Sequence, residues 1–230
     1  MIIKISQTAS NIKQLYDIEG EAFYFHGEAG SVSRLQNITL SNQNTVIRGV
    51  HHLSKWIHYI PFRYLFGKVN ITRVFRLYRN DHMYGSVGFY KQGFFKDLYV
   101  ITLDSGEDFQ CYICSKGSFE YVSIYQNEKQ IALVETYLST NDYKYTHKLY
   151  LLDNYSDFAD TLSFFVLYYA SYRFAKRFHM SQSSVSVKSW SFSKYNNKYH
   201  PEWREMNFPN EDFFGKINLF QWLGYFLKEL

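Results

Sequence analysis

Two cysteines three residues apart, Cys111 and Cys114 in the run CYIC, are the first candidates for chemistry. A C-x-x-C pair that carries out thiol redox chemistry lies at the start of a helix, where the helix dipole lowers a thiol pKa. Here the surrounding residues predict a strand, so the two side chains point to opposite faces. A structural zinc site needs four ligands, and the sequence has no second C-x-x-C and no H-x-x-x-H. We interpret both as buried strand cysteines, with a thiol-dependent enzyme as an alternative hypothesis.

Three histidines and two aspartates are the other candidates for chemistry. The run HHLSKWIH offers His51, His52 and His58 to a metal ion, but adjacent histidines diverge on a strand and no carboxylate is near in sequence. Asp157 and Asp160 lie on one face of a predicted helix, in a first turn where acids suit the helix dipole. We therefore predict no metal site, no cofactor and no catalytic residue, and we expect a non-enzymatic protein.

A long basic stretch is the strongest indication of function. From Ala29 to Asn80 the sequence has no Asp or Glu but eight Lys or Arg, so this stretch carries +8 and the rest of the chain −4 of the total +4. Aromatic residues interleave with these cations, as they do in segments that anchor at a membrane interface. The residues expected to bind an anionic phospholipid headgroup are Arg48, Lys55, Trp56, Arg63, Lys68, Arg73, Arg76 and Arg79.

Other interpretations of the basic stretch stay open. The cations are solvated, or they pair with the acids that the rest of the chain carries. Nucleic acid is a less favoured partner, since a formal net charge of +4 is modest for that role. An anionic membrane surface is the leading hypothesis, and a protein–protein scaffold with no lipid role is the alternative.

The elements that must position these residues are mostly strands. Aromatic residues make up 20% of the 230 residues, with 22 Tyr and 21 Phe, and these are strand formers that bury a large area. Turn signals such as RNDH, DSGED and QNEK recur at the spacing of β-hairpins. The N-terminus has no signal-peptide pattern, and two cysteines do not make a disulfide scaffold, so we expect a cytoplasmic protein.

One helix is predicted from residue 157 to residue 176. Its twelve uncharged residues between Asp160 and Arg173 would span ~18 Å, against ~30 Å for a hydrocarbon core, so the helix is too short to cross a membrane. It has no polar stripe, and a helix that is apolar all round must be enclosed by protein. We predict a buried core helix.

A second, amphipathic helix is predicted at the C-terminus. The run PNEDFFGKINLFQWLGYFLKEL opens with a helix-start signal and has a broad apolar face from Phe213 to Leu230. Its polar positions mix acids and bases, which disfavours docking on a membrane. We expect this helix to pack on the protein's own barrel or on a second subunit, which would make a homodimer.

Three stretches together resemble a known superfamily. They are YDIEGEAFYFHGEAG from Tyr16 to Gly30, SFEYVSIYQNEKQIALVE from Ser118 to Glu135, and the strand YKYTHKLYLLD that leads into the predicted core helix. Hairpin strands followed by one enclosed helix resemble the tubby C-terminal-like superfamily, in its LURP-one-related and phospholipid-scramblase-like branch with bacterial relatives. The resemblance implies a closed antiparallel barrel around the helix and an association with phosphoinositides.

The resulting prediction is a β-rich fold, α+β by helix content. One domain overall would hold an antiparallel β-barrel over residues 1–178, wrapped around a central hydrophobic helix, and a C-terminal extension over residues 179–230. We expect the protein in the cytoplasm, peripherally at the inner membrane face.

Overall fold

The structure is a computed structural model, and it describes residues 1–10, 13–30, 37–52, 70–91, 97–116, 119–138, 144–173 and 195–211. Within these ranges the chain forms a closed barrel of twelve antiparallel strands with one helix inside it. The β-rich fold class, the antiparallel barrel and the central hydrophobic helix are thereby confirmed.

The strands follow one another along the chain with few interruptions. They are β1 (Ile2–Ser10), β2 (Lys13–Glu19), β3 (Tyr24–Gly30), β4 (Asn37–Ser41), β5 (Val46–His52), β6 (Asn70–Arg79), β7 (His82–Lys91), β8 (Asp97–Leu103), β9 (Asp108–Lys116), β10 (Phe119–Gln126), β11 (Lys129–Leu138) and β12 (Tyr145–Leu151). A 3₁₀ segment (Asp153–Phe158) and α1 (Ala159–Arg173) come next, and a second 3₁₀ segment (Asn196–Lys198) and α2 (Pro201–Asn207) follow later.

The pairing order is the simplest that a closed barrel allows. Each strand pairs with the next one along the chain, and β1 pairs with β12 to close the cylinder, with Ile2 opposite Tyr150 and Ser6 opposite Thr146. No strand of the barrel is left with an unpaired edge, because both neighbours of each strand are occupied. Within the described barrel, closure therefore leaves no strand edge to which another chain could add a strand.

Two of the predicted turns have the backbone that tight hairpins need. Asn80 and Asp81 join β6 to β7 with φ angles of 46° and 68°, and Asn127 and Glu128 join β10 to β11 with φ angles of 46° and 65°. Two successive residues in the left-handed region make the turn whose twist matches that of the flanking strands. Asparagine tolerates this region better than most residues, which explains the turn signals in the sequence.

The helix α1 fills the barrel. Twelve of its fifteen residues are buried, including the bulky Phe164, Phe165, Tyr168 and Tyr169. Alternate residues of the strands point inward and pack on it; Phe75 of β6, for example, lies edge-to-face against Tyr168 with ring centroids 5.2 Å apart. The helix was predicted over residues 157–176, but its α-helical part begins at Ala159 and residues 174–176 lie outside the described ranges. None of the described helices combines the length and the hydropathy needed to cross a membrane.

Two glycines let the barrel wall approach the helix closely. A Cβ atom on Gly27 of β3 would lie 2.4 Å from the Leu167 side chain, and one on Gly49 of β5 would lie 2.3 Å from the ring of Phe164. Both distances are far shorter than van der Waals contact allows. The wall at β3 and β5 is therefore shaped to the helix by the absence of a side chain.

The C-terminal extension packs on the outside of the barrel where the structure describes it. Tyr199 stacks on Tyr121 of β10 with ring centroids 4.4 Å apart. Arg204 of α2 lies over Glu135 of β11, with a nitrogen–oxygen distance of 3.9 Å and both side chains almost fully buried. Residues 195–211 thus cover the outer face of β9–β12. The amphipathic helix predicted from Phe213 to Leu230 lies outside the described residues.

Candidate functional site

The outward side chains of β5 and β6 form the part of the basic stretch that the structure describes. Arg48 and Val50 point outward from β5, and Arg76 and Tyr78 point outward from β6. In the strand register Val50 lies directly opposite Arg76, and Arg48 lies opposite Tyr78. Cations and apolar side chains therefore alternate on this surface, which we call the β5–β6 outer face.

Arg48 is engaged in a weak ion pair at the edge of this face. Its Nη2 lies 2.6 Å from Oδ1 of Asp81, which stands in the turn between β6 and β7. The side chains are 46% and 84% exposed, so water screens the attraction and the pair contributes little to stability. An external anion can therefore replace Asp81 at small cost.

Arg76 is a second exposed cation of the face. Its side chain is exposed, and it has no hydrogen bond or ion pair with any residue of the described ranges. Its neighbours across the sheet, Val50 on β5 and Ser86 on β7, carry no charge. Its positive charge therefore faces solvent without a nearby acid on the adjoining strands.

Arg79 occupies a different position from the other two arginines. It lies at the end of the barrel where α1 begins, and its Nη2 is 2.8 Å from both carboxylate oxygens of Asp160. Its guanidinium also lies over the ring of Tyr84, 4.9 Å from the centroid. Burial raises the pKa of Asp160, and the charge of Arg79 opposes that rise. Arg79 thus serves to pair a carboxylate at the mouth of the barrel.

Five of the eight residues predicted for headgroup binding have no described side chain. Lys55, Trp56, Arg63 and Lys68 lie in residues 53–69, outside the described ranges, and the side chain of Arg73 is likewise outside them. The structure brings Arg48 and Arg76 to one face and puts Arg79 into an ion pair. Arg79 therefore pairs with an acid of the chain, as one of the interpretations of the basic stretch predicted, and Arg48 does so through a weak, exposed ion pair.

The histidines of this region point apart, as the sequence predicts. His51 turns toward the interior, with its ring edge against Phe75 at a centroid distance of 5.3 Å, and burial lowers its pKa. His52 is exposed on the outside, and His58 is outside the described ranges. Among the described residues, no three His, Cys, Asp or Glu side chains are placed to hold a metal ion together.

The cysteines are buried strand residues, which confirms their interpretation. Cys111 faces the core of the barrel, whereas Cys114 faces outward under the extension and donates from Sγ to the carbonyl oxygen of Tyr195 at 3.2 Å. Burial raises the pKa of Cys111 well above its usual value and that of Cys114 to about 11. Both thiols are therefore held in the protonated form, which is a poor nucleophile.

A second candidate site, which the sequence did not reveal, is an open groove at the same barrel end as Asp160. It has a volume of about 640 Å³ and lies between the β2–β3 connection and the β4–β5 turn. Residues 22–24 form one wall, residues 41–44 form the other, and His26 lies between them. The sequence signal that could have indicated it is the alternation Tyr24-x-His26, which puts both rings on the outer face of β3.

Three polar side chains beside the groove are bonded to one another. The hydroxyl of Tyr24 donates to Oδ1 of Asp17 at 2.9 Å, and Nδ1 of His26 lies 3.0 Å from the same oxygen. The rings of Tyr24 and His26 meet edge-to-face, with centroids 4.8 Å apart. The hydrogen bond to Asp17 raises the pKa of Tyr24. Asp17 on β2 thereby fixes the orientation of both rings on β3.

Comparisons with known proteins do not add to this geometry. No protein-family model, no curated protein and no solved structure matches the chain.

Proposed function

We propose that the protein is a non-enzymatic binding module that engages an anionic phospholipid surface through the β5–β6 outer face. The observation that carries the proposal is the register of Val50 opposite Arg76, with Arg48 two residues away on β5. Val50 is 37% exposed and Val46, on the same side of β5, is 43% exposed. Aliphatic side chains can enter the headgroup region while neighbouring arginines bind phosphate oxygens.

The charge of the surrounding sequence supports the same partner. The stretch from Ala29 to Asn80 has no acid, and Asp81 follows directly after it in a turn. Because the Arg48–Asp81 pair is exposed, a phosphate can compete for Arg48. Each Lys or Arg close to an anionic membrane contributes about 1 kcal/mol, so affinity would come from several such residues and would fall with salt.

The tubby-like resemblance is part of this proposal. The superfamily is a closed antiparallel barrel wrapped around a hydrophobic helix, and the present barrel around α1 has that architecture. We propose that the chain is a divergent member of its LURP-one-related and phospholipid-scramblase-like branch. Its place in the cell would then be the cytoplasm, at the inner membrane face.

The test is co-sedimentation with vesicles of phosphatidylcholine alone and of phosphatidylcholine mixed with phosphatidylglycerol, across a salt series. We expect binding to the anionic vesicles only, weakened by salt. The double variant Arg48→Glu, Arg76→Glu should bind roughly 30-fold more weakly, as loss of about 2 kcal/mol implies.

The control is Lys129→Glu, which reverses one exposed charge at the first residue of β11, away from the β5–β6 outer face. Equal loss of binding in the control and in the double variant would reduce the interaction to overall charge and contradict a defined face. Absence of binding to anionic vesicles at low salt would remove the proposal altogether.

A further inference from the structure

We infer that the groove between residues 22–24 and residues 41–44 binds a neutral saccharide. The groove is separate from the β5–β6 outer face, and the inference is independent of the proposed phospholipid binding. Its volume of about 640 Å³ falls within the range of small-molecule sites, which is roughly 300–1,000 Å³.

The lining is aromatic on one side and rich in carboxamides on the other. Phe23 and Tyr24 belong to the first wall, and the second wall is Ser41 followed by Asn42, Gln43 and Asn44. A carboxamide both donates and accepts hydrogen bonds, so it can bind the paired donor and acceptor of neighbouring sugar hydroxyls. An aromatic ring provides an apolar surface for the C–H face of a sugar ring. The two walls together match a molecule that has both features.

The charge of the lining excludes the main alternatives. No Lys, Arg, Asp or Glu is among the lining residues, and Nδ1 of His26 already lies 3.0 Å from Oδ1 of Asp17, so a phosphate or carboxylate ligand would meet no Lys or Arg in the groove. A purely apolar ligand would cover the carboxamides of the second wall without satisfying their hydrogen bonds, which is costly. An extended peptide would lack a strand edge to pair with, because every barrel strand is paired on both sides.

Both walls are held in place before any ligand arrives. The Tyr24 ring is 44% exposed but is fixed by its hydrogen bond to Asp17 and by its edge-to-face contact with His26. On the other wall, Oδ1 of Asn42 accepts hydrogen bonds from the backbone N–H of Asn44 at 2.9 Å and of Thr45 at 2.7 Å. These bonds orient the carboxamide of Asn42, and its Nδ2 has no hydrogen-bond partner among the described residues.

The position of the Phe23 ring in the aromatic wall depends on Gly20. The backbone N–H of Gly20 donates to the carbonyl oxygen of Phe23 at 3.0 Å, and a Cβ atom on Gly20 would lie 2.7 Å from the Phe23 ring. The ring of Phe23 therefore lies directly on the backbone of Gly20. Rings and turns that are already ordered lose little conformational entropy when a ligand binds. The weak contacts that a sugar makes can therefore contribute more of their free energy to binding.

The experiment is saturation-transfer NMR on the whole chain, followed by titration. The soluble probes are maltotriose and cellotriose, and the membrane probe is a monoglucosyl diacylglycerol in phosphatidylcholine vesicles. If the natural ligand is a free saccharide, we expect saturation transfer to the soluble sugars. Titration should then give a dissociation constant in the millimolar range or below. Binding to the glycolipid vesicles alone would identify the natural ligand as the sugar headgroup of a lipid, which also supports the inference.

Variants of the two walls decide whether the groove is the site. Tyr24→Ala and Asn44→Ala should each weaken binding about tenfold, roughly the effect of one lost ring contact or one to two hydrogen bonds. Gln43→Ala, on an exposed turn residue, keeps the test available if either variant fails to fold. The control is Met83→Ala. Met83 is an exposed residue near the start of β7, and this variant should bind the sugar as the wild type does.

Two results would overturn the inference. One is the absence of saturation transfer to every probe, and the other is binding that all the groove variants leave unchanged. The double variant Arg48→Glu, Arg76→Glu should still bind sugar, so failure of the phospholipid proposal and failure of the saccharide inference can be told apart.

Discussion

Arg79 on strand β6 and Asp160 in the first turn of α1 join the barrel wall to the buried helix, with Nη2 of the arginine 2.8 Å from both carboxylate oxygens. The pair connects residues that are 81 positions apart in the sequence. It lies where the helix enters the barrel, and Tyr84 and Thr161 surround it.

The first prediction concerns the unequal roles of the two partners. Burial raises the pKa of Asp160, so the folded protein holds this proton more tightly than the unfolded chain does, and the group's contribution to stability falls as pH rises through the folded pKa. Arg79→Met leaves the carboxylate without its cation, and it should lower the free energy of unfolding by about 2 kcal/mol at pH 7. The loss should shrink at acidic pH, where Asp160 is protonated.

Asp160→Asn removes the charge that burial disfavours, so it should change stability by less than about 1 kcal/mol at pH 7. Urea unfolding of both variants at neutral and acidic pH measures this difference. A larger loss for Asp160→Asn than for Arg79→Met would contradict the assignment of the burial penalty to the carboxylate.

The second prediction concerns the close approach of β5 to the helix. Gly49→Ala adds a methyl group that would lie 2.3 Å from the Phe164 ring, so the helix or the strand must move. We expect a loss of about 1–3 kcal/mol, the usual cost of an overfilled core. The double variant Gly49→Ala, Phe164→Leu should recover part of this loss, because the smaller side chain frees the space. Thermal unfolding by circular dichroism measures both, and an unchanged midpoint for the single variant would show that the wall is not tightly fitted.

The third prediction concerns His147, which is fully buried in the barrel interior with Nδ1 2.9 Å from Oγ1 of Thr136. Burial lowers its pKa from 6.5 to about 3. A lowered histidine pKa means that the unfolded chain binds the proton first, so stability is complete above 6.5 and is lost as pH falls toward 3.

Between pH 7 and pH 5 this one group should remove about 2 kcal/mol of stability. His147→Gln should therefore show a smaller fall over that interval than the wild type, whatever its stability at pH 7. His82→Gln changes an exposed histidine and should leave the fall unchanged. Equal pH dependence in the wild type and His147→Gln would mean that His147 does not stay neutral in the folded protein.

The fourth prediction concerns the cover over Cys114. Its Sγ lies against the carbonyl oxygen of Tyr195, and burial raises its pKa to about 11. At pH 8 a disulfide reagent should therefore react with neither cysteine in the folded protein, and with both in urea. Tyr199→Ala removes the ring that stacks on Tyr121 and should loosen the extension. It should speed the labelling of Cys114 and leave Cys111 protected.

Fast labelling of Cys114 in the wild type would show that residues 195–211 do not stay docked. It would also revive the hypothesis of a thiol-dependent enzyme, which the raised pKa values now disfavour.

Local features of the fold could be predicted from the residues themselves, and the closed barrel could be predicted only through the resemblance of three stretches to a known superfamily. Individual long-range contacts could not be predicted. The turns at Asn80–Asp81 and Asn127–Glu128 follow from the preferences of single residues, and the enclosed helix follows from its lack of a polar stripe. The pairing of Arg79 with Asp160 depends on how the helix is seated in the barrel. No periodicity within either segment carries that information.

The groove could not be predicted from the sequence for a related reason. Asp17 and His26 lie on neighbouring strands, and they meet because the β2–β3 register puts them directly opposite each other. A shift of one residue would turn one of them to the other face of the sheet. The β5–β6 outer face was predictable as a basic region, and strand alternation puts Arg76 on the face opposite to Arg79. The exposure of Arg76 and the partner of Arg79 were not predictable.

The position of α1 after the last strand has a consequence for the order in which the protein can form during synthesis. All twelve strands leave the ribosome before the helix that their inner faces pack on, and β1 must wait for β12 to close the cylinder. Until residue 173 has been synthesised, the apolar inner face of each strand has no helix to pack on. A nascent chain in this state is prone to aggregation. The synthesis of the helix that fills the barrel thus also ends the exposure of the strands' apolar inner faces.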